Sequence, residues 1–126
     1  MPKEVVFSPN APTPIGPYSQ AIRIGSMLFV SGQIAIQQSS GNIITANIEE
    51  ETEQVMKNLD EVLRSAGMDF SHVVKTTIFL KDMDTFPKVN QIYGTRFPSQ
   101  PPARETVEVS RLPKDVNVEI SCIAIK

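Results

Sequence analysis

Residues 47–80 read NIEEETEQVMKNLDEVLRSAGMDFSHVVKTTIFL, and this stretch predicts a helix followed by a strand. The helix is indicated by apolar residues at helical spacing, namely Ile48, Val55, Leu59, Val62, Leu63 and Ala66. Asn47, with Glu50 three residues later, is a helix-start signal, and Gly67 stands where the helix should stop. Val73–Leu80 is rich in β-branched residues, as strands are. A helix with one apolar face next to such a strand predicts that the helix packs on a sheet.

A second helix is predicted after this strand. It begins near Asp84 or Thr85, because Pro87 is tolerated only in the first turn of a helix. Its apolar stripe consists of Phe86, Val89, Tyr93 and Phe97. Prolines cluster at 9–17 and 98–102, and both segments are predicted to be stiff, extended loops.

The remaining apolar segments predict five further strands. They lie at about 5–7, 19–24, 27–33, 104–109 and 116–125. Gly25 and Ser26 are predicted to join the second and third strands of the chain as a tight hairpin turn. The order β-β-β-α-β-α-β-β predicts one α+β domain over residues 1–126, a mixed β-sheet with two helices on one face.

Composition and charge narrow the function classes. Twelve basic and 14 acidic residues give a net charge of −2, which is a poor footprint for nucleic-acid binding. Cys122 is the single cysteine, so no intramolecular disulfide can form and a reducing compartment is expected. No secretory signal is recognised, and no apolar run approaches the roughly 18 residues of a membrane span. A cytoplasmic protein is therefore expected.

Alternation along the strands divides their side chains between two faces. One class is almost uniformly apolar and is predicted to lie under the helices: Ile22, Ile24, Leu28, Val30, Val74, Ile78, Leu80, Val107, Val109, Val118, Ile120 and Cys122. The other class mixes apolar and charged residues, among them Arg23, Phe29, Lys75, Arg104, Glu119 and Ile125. Such a face fits an oligomer interface with polar pockets in it. This assignment assumes that no strand contains a β-bulge.

Two charged residues of the mixed class carry the candidate chemistry. Arg104 and Glu119 are predicted to lie on the same non-helical face. An arginine can bind a carboxylate through two parallel hydrogen bonds, and a glutamate can orient or deprotonate a water. Their spacing is also compatible with a purely structural ion pair.

Several short motifs, in order along nearly the whole chain, resemble one family. They are Gly16-Pro17-Tyr18-Ser19-Gln20, Ser31-Gly32-Gln33-Ile34, Val74-Lys75-Thr76-Thr77, Asp82-Met83-Asp84 with Phe86, Val89-Asn90, Pro102-Ala103-Arg104, Val107-Glu108-Val109, Arg111-Leu112-Pro113-Lys114 and Val118-Glu119-Ile120. Their order and spacing resemble the RidA/YjgF family of reactive-intermediate deaminases.

The resemblance implies a fold, an assembly and an activity. Members have chorismate-mutase-like α+β domains and form homotrimers, with clefts between adjacent subunits. They hydrolyse enamines and imines of the 2-aminoacrylate type to a 2-keto acid and ammonia, as 2-iminobutanoate/2-iminopropanoate deaminases. The resemblance also implies that neither a metal nor an organic cofactor takes part.

Residue roles carried over from the family fall on matching positions of this chain. Arg104 is expected to bind the substrate carboxylate, and Glu119 to position the attacking water and move protons. The further substrate-binding residues implied are Tyr18, Ser31, Gly32, Asn90 and Thr106. Tyr18 is expected in the pocket wall, contributed by the same subunit or by its neighbour. For Asn90 a purely structural role is the alternative.

The chain departs from the family pattern at two positions near these residues. Glu105 stands where a small residue is usual, although strand alternation directs it to the face opposite Arg104. Ser121 replaces a frequent second glutamate. Two alternative functions remain open: a non-catalytic regulatory protein that binds a small ligand, and a ribonuclease or translation inhibitor, as described for some relatives.

Overall fold

A computed structural model describes all residues, 1–126, as one sheet with two helices packed against it. The six strands are β1 (Glu4–Val6), β2 (Ala21–Ile24), β3 (Met27–Gln33), β4 (Val73–Leu80), β5 (Ala103–Glu108) and β6 (Val118–Ile125). The two helices are α1 (Ile48–Ser65) and α2 (Phe86–Gly94). The predicted α+β class and element order are confirmed.

Strands in the sheet follow the order β1-β2-β3-β6-β4-β5. All neighbours are antiparallel except β4 and β5, which run parallel and are joined across the sheet by α2. Because β6 is inserted between β3 and β4, the last strand of the chain lies near the centre of the sheet. The sheet is therefore mixed, as predicted.

Both helices begin where local signals predict, and α1 also ends where predicted. The Asn47 side chain accepts a hydrogen bond from the Glu50 backbone N–H at 2.8 Å, and Gly67 follows α1 with a left-handed φ of 73°. α2 has Pro87 in its first turn, as predicted. Phe97 lies just beyond α2, but its ring still packs on Tyr93 with the centroids 4.8 Å apart. No helix of the protein is both long and apolar enough to cross a membrane.

The core lies between the helices and one face of the sheet. From α1 it takes the predicted apolar stripe, and from the strands it takes Leu28, Val30, Ile78, Leu80, Val118, Ile120, Cys122 and Ala124. Burial raises the pKa of the Cys122 thiol to about 12, so this cysteine is an inert core residue, as expected. We refer to this side as the helix face and to the other side as the open face.

The predicted faces of β2 are wrong. The two-residue turn at Gly25 pairs Ile24 with Met27 and Ile22 with Phe29, so both isoleucines lie on the open face with Phe29. Arg23 lies on the helix face instead, where its Nη1 donates to the Ala66 carbonyl at the end of α1. A two-residue hairpin always pairs an even-numbered with an odd-numbered residue, which reverses parity between its strands.

Register irregularities also contradict the assumption of unbroken strands. In β3 a shift between Val30 and Gln33 inserts one extra residue opposite β6. A second shift, near the start of β4, leaves Val74 44% exposed although it was predicted to lie under the helices.

The predicted faces of β5 are also wrong, and this affects the candidate site. Arg104 pairs with the buried Thr76, and Thr106 pairs with the buried Ile78, so both lie on the helix face. Val107, predicted to be in the core, is on the open face and exposed. Arg104 and Glu119 therefore lie on opposite faces of the sheet.

Candidate active site in two halves

The first half surrounds Arg104 at the edge of the sheet, beside α2. Its Nη1 donates a hydrogen bond to the Asn90 side-chain oxygen at 2.7 Å. Its guanidinium carbon lies 5.2 Å from the centre of the Phe86 ring and 5.0 Å from that of Tyr93. These contacts fix the arginine while leaving further N–H donors for a carboxylate.

Thr106 and Tyr93 extend this half under the arginine. The Tyr93 hydroxyl is hydrogen-bonded to Thr76 Oγ1 at 2.8 Å, which holds the ring in place. Thr106 Oγ1 is buried and has no hydrogen-bond partner in the chain. A buried hydroxyl without a partner is unusual and is satisfied when a polar ligand reaches it. We call this group, with Asn90, the arginine half-site.

The second half lies on the open face around Glu119. The glutamate comes from β6, and its carboxylate lies directly against Gly32 at the β3 bulge. A Cβ atom built on Gly32 would meet Glu119 Oε2 at 2.6 Å, so only glycine allows this approach. Burial raises the pKa of Glu119, and no hydrogen bond or neighbouring charge contributes to that shift.

A cavity of about 420 Å³ opens in front of this carboxylate. Its wall contains the predicted residues Tyr18, Ser31 and Gly32, together with Lys114 and the apolar side chains of Ile15, Ile34 and Ile36. We call this cavity, with Glu119, the glutamate half-site. The cavity presents one carboxylate, one lysine and an apolar wall to a small molecule.

The proline-rich loop 9–17 forms one wall because Gln20 fastens it from inside. The buried Gln20 amide donates to the carbonyls of Ser8 and Pro12 at 3.1 and 2.9 Å, and its oxygen accepts from the Ser8 N–H at 2.6 Å. Ser31 donates to the Ser19 carbonyl at 2.6 Å, which places the adjacent Tyr18. Sequence reasoning missed Gln20, although its place in the Gly16–Gln20 motif was a signal.

The structure thus brings the predicted residues together in two groups. Tyr18, Ser31 and Gly32 join Glu119, whereas Asn90 and Thr106 join Arg104. Since the sheet separates the groups, the prediction of one shared face is wrong, and an Arg104–Glu119 ion pair within the chain is excluded.

The two departures from the family pattern lie outside the arginine half-site. Glu105 is on the open face, where it accepts a hydrogen bond from Thr77 and pairs with Lys75 at 2.9 Å. These contacts lower the pKa of its carboxyl, the Thr77 hydrogen bond most and Lys75 next. Ser121 pairs with Thr77 in the same part of the sheet. Glu105 therefore leaves the charge of Arg104 free for a ligand.

Nothing in the chain gathers the residues of a metal site. No group of three or more His, Cys, Asp and Glu side chains is close enough to hold an ion. The chemistry available in the two half-sites is anion binding, general acid–base transfer and hydrogen bonding.

The fold is that of a small α+β protein, and its two half-sites present an ordered arginine and a half-buried carboxylate beside a small cavity. A family model described as Endoribonuclease L-PSP matches residues 8–126, so the chain belongs to this family, which is the RidA/YjgF family predicted from its motifs.

Individual relatives cover nearly the whole chain. A RutC family protein of Pyrococcus horikoshii is 51% identical over 124 residues, covering 98% of each chain. A mouse protein named 2-iminobutanoate/2-iminopropanoate deaminase is 44% identical and covers 98% of this chain and 92% of its own. The solved structure of Escherichia coli TdcF with bound serine is 33% identical, covers 98% of both chains and has a TM-score of 0.92.

Proposed function

We propose that the protein is a hydrolytic deaminase of small enamine and imine carboxylates of the 2-aminoacrylate type. The observation that carries the proposal is that the chain holds an ordered arginine and a half-buried glutamate in two pockets, each of which lacks the other's chemistry. The name of the mouse relative, 2-iminobutanoate/2-iminopropanoate deaminase, supports the reaction. Serine bound to Escherichia coli TdcF supports a ligand of this size with an α-carboxylate.

Completing the pocket requires a second copy of the chain. One small molecule cannot reach both faces of the same sheet, so Arg104 of one subunit and Glu119 of its neighbour form the site. The open face supplies the contact surface, because apolar residues remain exposed on it, including Phe29, Val107 and Ile125. A homotrimer with three such clefts is the assembly we propose.

The reaction follows from the chemistry of the two half-sites. Arg104 binds the substrate carboxylate, and the protonated imine carbon is already electrophilic, so positioning supplies most of the catalysis. Glu119 takes a proton from water as the water oxygen bonds to that carbon, which gives a carbinolamine. Glu119 then gives that proton to the nitrogen. As the C–N bond breaks, the hydroxyl proton of the carbinolamine passes to Glu119 and the C=O bond of the 2-keto acid forms. The released ammonia takes up this last proton as ammonium, which restores the Glu119 carboxylate.

The direct test couples the protein to a serine or threonine dehydratase and follows keto-acid release. Wild type should accelerate release beyond spontaneous imine hydrolysis. Arg104→Ala should abolish the gain and Glu119→Gln should reduce it by about 100-fold or more. A matched control is Arg111→Ala, since Arg111 pairs with Asp115 outside both half-sites. An assembled wild type that gives no acceleration would contradict the proposal.

Two other functions are distinguished by the same variants. The matching family model is described as an endoribonuclease, so RNA cleavage that is lost with Arg104→Ala would favour a ribonuclease. The net charge of −2 weighs against this reading. Binding of keto acids without turnover, unaffected by Glu119→Gln, would favour a regulatory ligand-binding protein.

We propose a cytoplasmic location for the protein. The buried Cys122 is a free thiol, which fits a reducing compartment.

A further inference from the structure

Glu51 is a fully buried carboxylate, 0% exposed, which the proposed reaction does not use. It lies in the first turn of α1, on the side that faces the sheet. None of the ion pairs in the chain includes it. Because burying a carboxylate without compensation is costly, the contacts that compensate it indicate its role.

Those contacts are all at the start of β6. Glu51 Oε2 accepts hydrogen bonds from the backbone N–H of Asn117 at 2.7 Å and of Val118 at 3.2 Å. Glu51 Oε1 accepts from the Asn117 side-chain amide at 2.8 Å. The Asn117 carbonyl in turn accepts from the Lys81 N–H at 3.1 Å, which ties the same peptide to the end of β4.

Glu119 is the residue that follows this fixed segment. Burial alone shifts its pKa, with no hydrogen bond to hold its carboxylate from the side. Its position therefore depends on the β6 backbone and on the contact with Gly32. The titratable side chains that share its cavity are Tyr18 and Lys114.

We propose that Glu51 is a positioning residue for Glu119, acting through its hydrogen bonds to Asn117 and Val118. The glutamate of α1 sets where β6 begins, and so how close the Glu119 carboxylate comes to Gly32. The kinetic part of this inference rests on the proposed deaminase function, whereas the structural part does not.

Glu51→Ala tests the inference by releasing the start of β6. We expect kcat for imine hydrolysis to fall by about 10- to 100-fold, because small misplacements of a catalytic group have effects of this size. KM should stay within about twofold, since Arg104 still binds the carboxylate. Glu51→Gln should restore most of kcat, because its oxygen can accept both backbone N–H groups while the Asn117 amide turns to accept from its nitrogen.

The matched control is Glu50→Ala, which removes an exposed carboxylate from the same turn of α1 without touching β6. It should leave kcat unchanged. Should Glu51→Ala fail to fold, Glu51→Asp keeps the charge but withdraws the oxygens from Asn117, and the same loss of kcat is expected from it.

A second readout needs no substrate. The Glu119 carboxyl can be titrated by ¹³C NMR and assigned by its absence in Glu119→Gln. In Glu51→Ala, water should reach the loosened carboxylate and lower its pKa toward the ordinary 4.5.

An unchanged Glu119 titration in folded Glu51→Ala or Glu51→Asp would overturn the inference, as would a Glu51→Gln variant as impaired as Glu51→Ala. A wild type without deaminase activity would contradict the proposed function. If the Glu119 pKa nevertheless shifts in Glu51→Ala, the positioning role of Glu51 is still supported.

Discussion

Arg104 is held in place before any ligand arrives, and its Nη1 donates a hydrogen bond to the Asn90 side-chain oxygen. We expect Asn90→Ala to raise KM for an imine carboxylate by about fivefold, the effect of losing one hydrogen bond of roughly 1 kcal/mol. The value of kcat should change little, because Asn90 does not contact the reacting atoms. Asn90→Asp should raise KM further, since a carboxylate there competes with the substrate for the guanidinium. Steady-state kinetics and calorimetric titration with a 2-keto acid measure both effects, and an unchanged KM with a lower kcat would contradict this role.

The Glu119 side chain should lower the stability of the folded protein at neutral pH. Burial raises its pKa in the folded protein, so the folded state holds this proton more tightly than the unfolded state. The residue therefore favours folding only below its ordinary pKa of 4.5, and that contribution is lost as the pH rises through the raised value. Glu119→Gln should melt at a higher temperature than wild type at pH 7, and the difference should vanish in acid. Thermal unfolding of both proteins from acid to pH 7 measures this difference in melting temperature. A Glu119→Gln variant that is less stable than wild type at pH 7 would contradict the prediction.

At the scale of elements, the bulge in β3 brings Gly32 into close contact with the Glu119 carboxylate of β6. Gly32→Ala places a methyl group 2.6 Å from Glu119 Oε2, so the carboxylate must move. We expect kcat to fall by about 10- to 100-fold with the fold retained. Gly94→Ala is the matched control, because a Cβ at Gly94 meets nothing within 4 Å. Equal activity of the two variants, measured by keto-acid release, would show that the close approach is not needed.

Elements themselves were largely predictable from the sequence, whereas the faces of the strands were not. Helix ends depend on neighbours three or four residues away, such as Asn47 and Glu50, so local patterns predict them. The face on which a strand residue lies depends on register with a partner strand. The hairpin at Gly25 reversed the parity of β2, and the bulge next to Gly32 broke the alternation in β3. These are properties of pairing that no single segment encodes.

Motifs named the residues of the candidate site, whose roles stay predictions, but the arrangement of these residues was predicted wrongly. Motifs identified Arg104 and Glu119, because short recurring segments mark residues regardless of where they lie. Their assignment to one face failed because β5 pairs in parallel with β4, which places Arg104 beside the buried Thr76. Gln20 and Glu51 were missed, because a buried polar residue that organises backbone looks in sequence like any other polar residue.

At the scale of the whole molecule, the divided site predicts complementation between two inactive variants. Arg104→Ala and Glu119→Gln should each be inactive as pure assemblies. Equal amounts of the two variants are unfolded and refolded together. A cleft is then intact only if the subunit that supplies Arg104 is the Glu119→Gln variant and the subunit that supplies Glu119 is the Arg104→Ala variant. About one quarter of the clefts in a randomly mixed cyclic assembly meet that condition, so about a quarter of wild-type activity should return.

The controls for this experiment are each variant refolded alone and a mixture of the two without unfolding. Light scattering should give the same assembly for every sample. Failure to recover activity in a mixed assembly of the right size would place the whole site within one chain, or outside these residues.

The separation of Arg104 from Glu119 also bears on what happens when the protein is diluted. With the proposed intersubunit site, a lone subunit keeps its preset arginine and should still bind a keto acid or amino acid by its carboxylate, but it has no base opposite the bound molecule. Below the concentration at which subunits associate, the chain would change from a catalyst into a simple receptor for carboxylates. Specific activity should then fall with dilution while ligand binding persists, and catalysis would report how much of the chain is assembled.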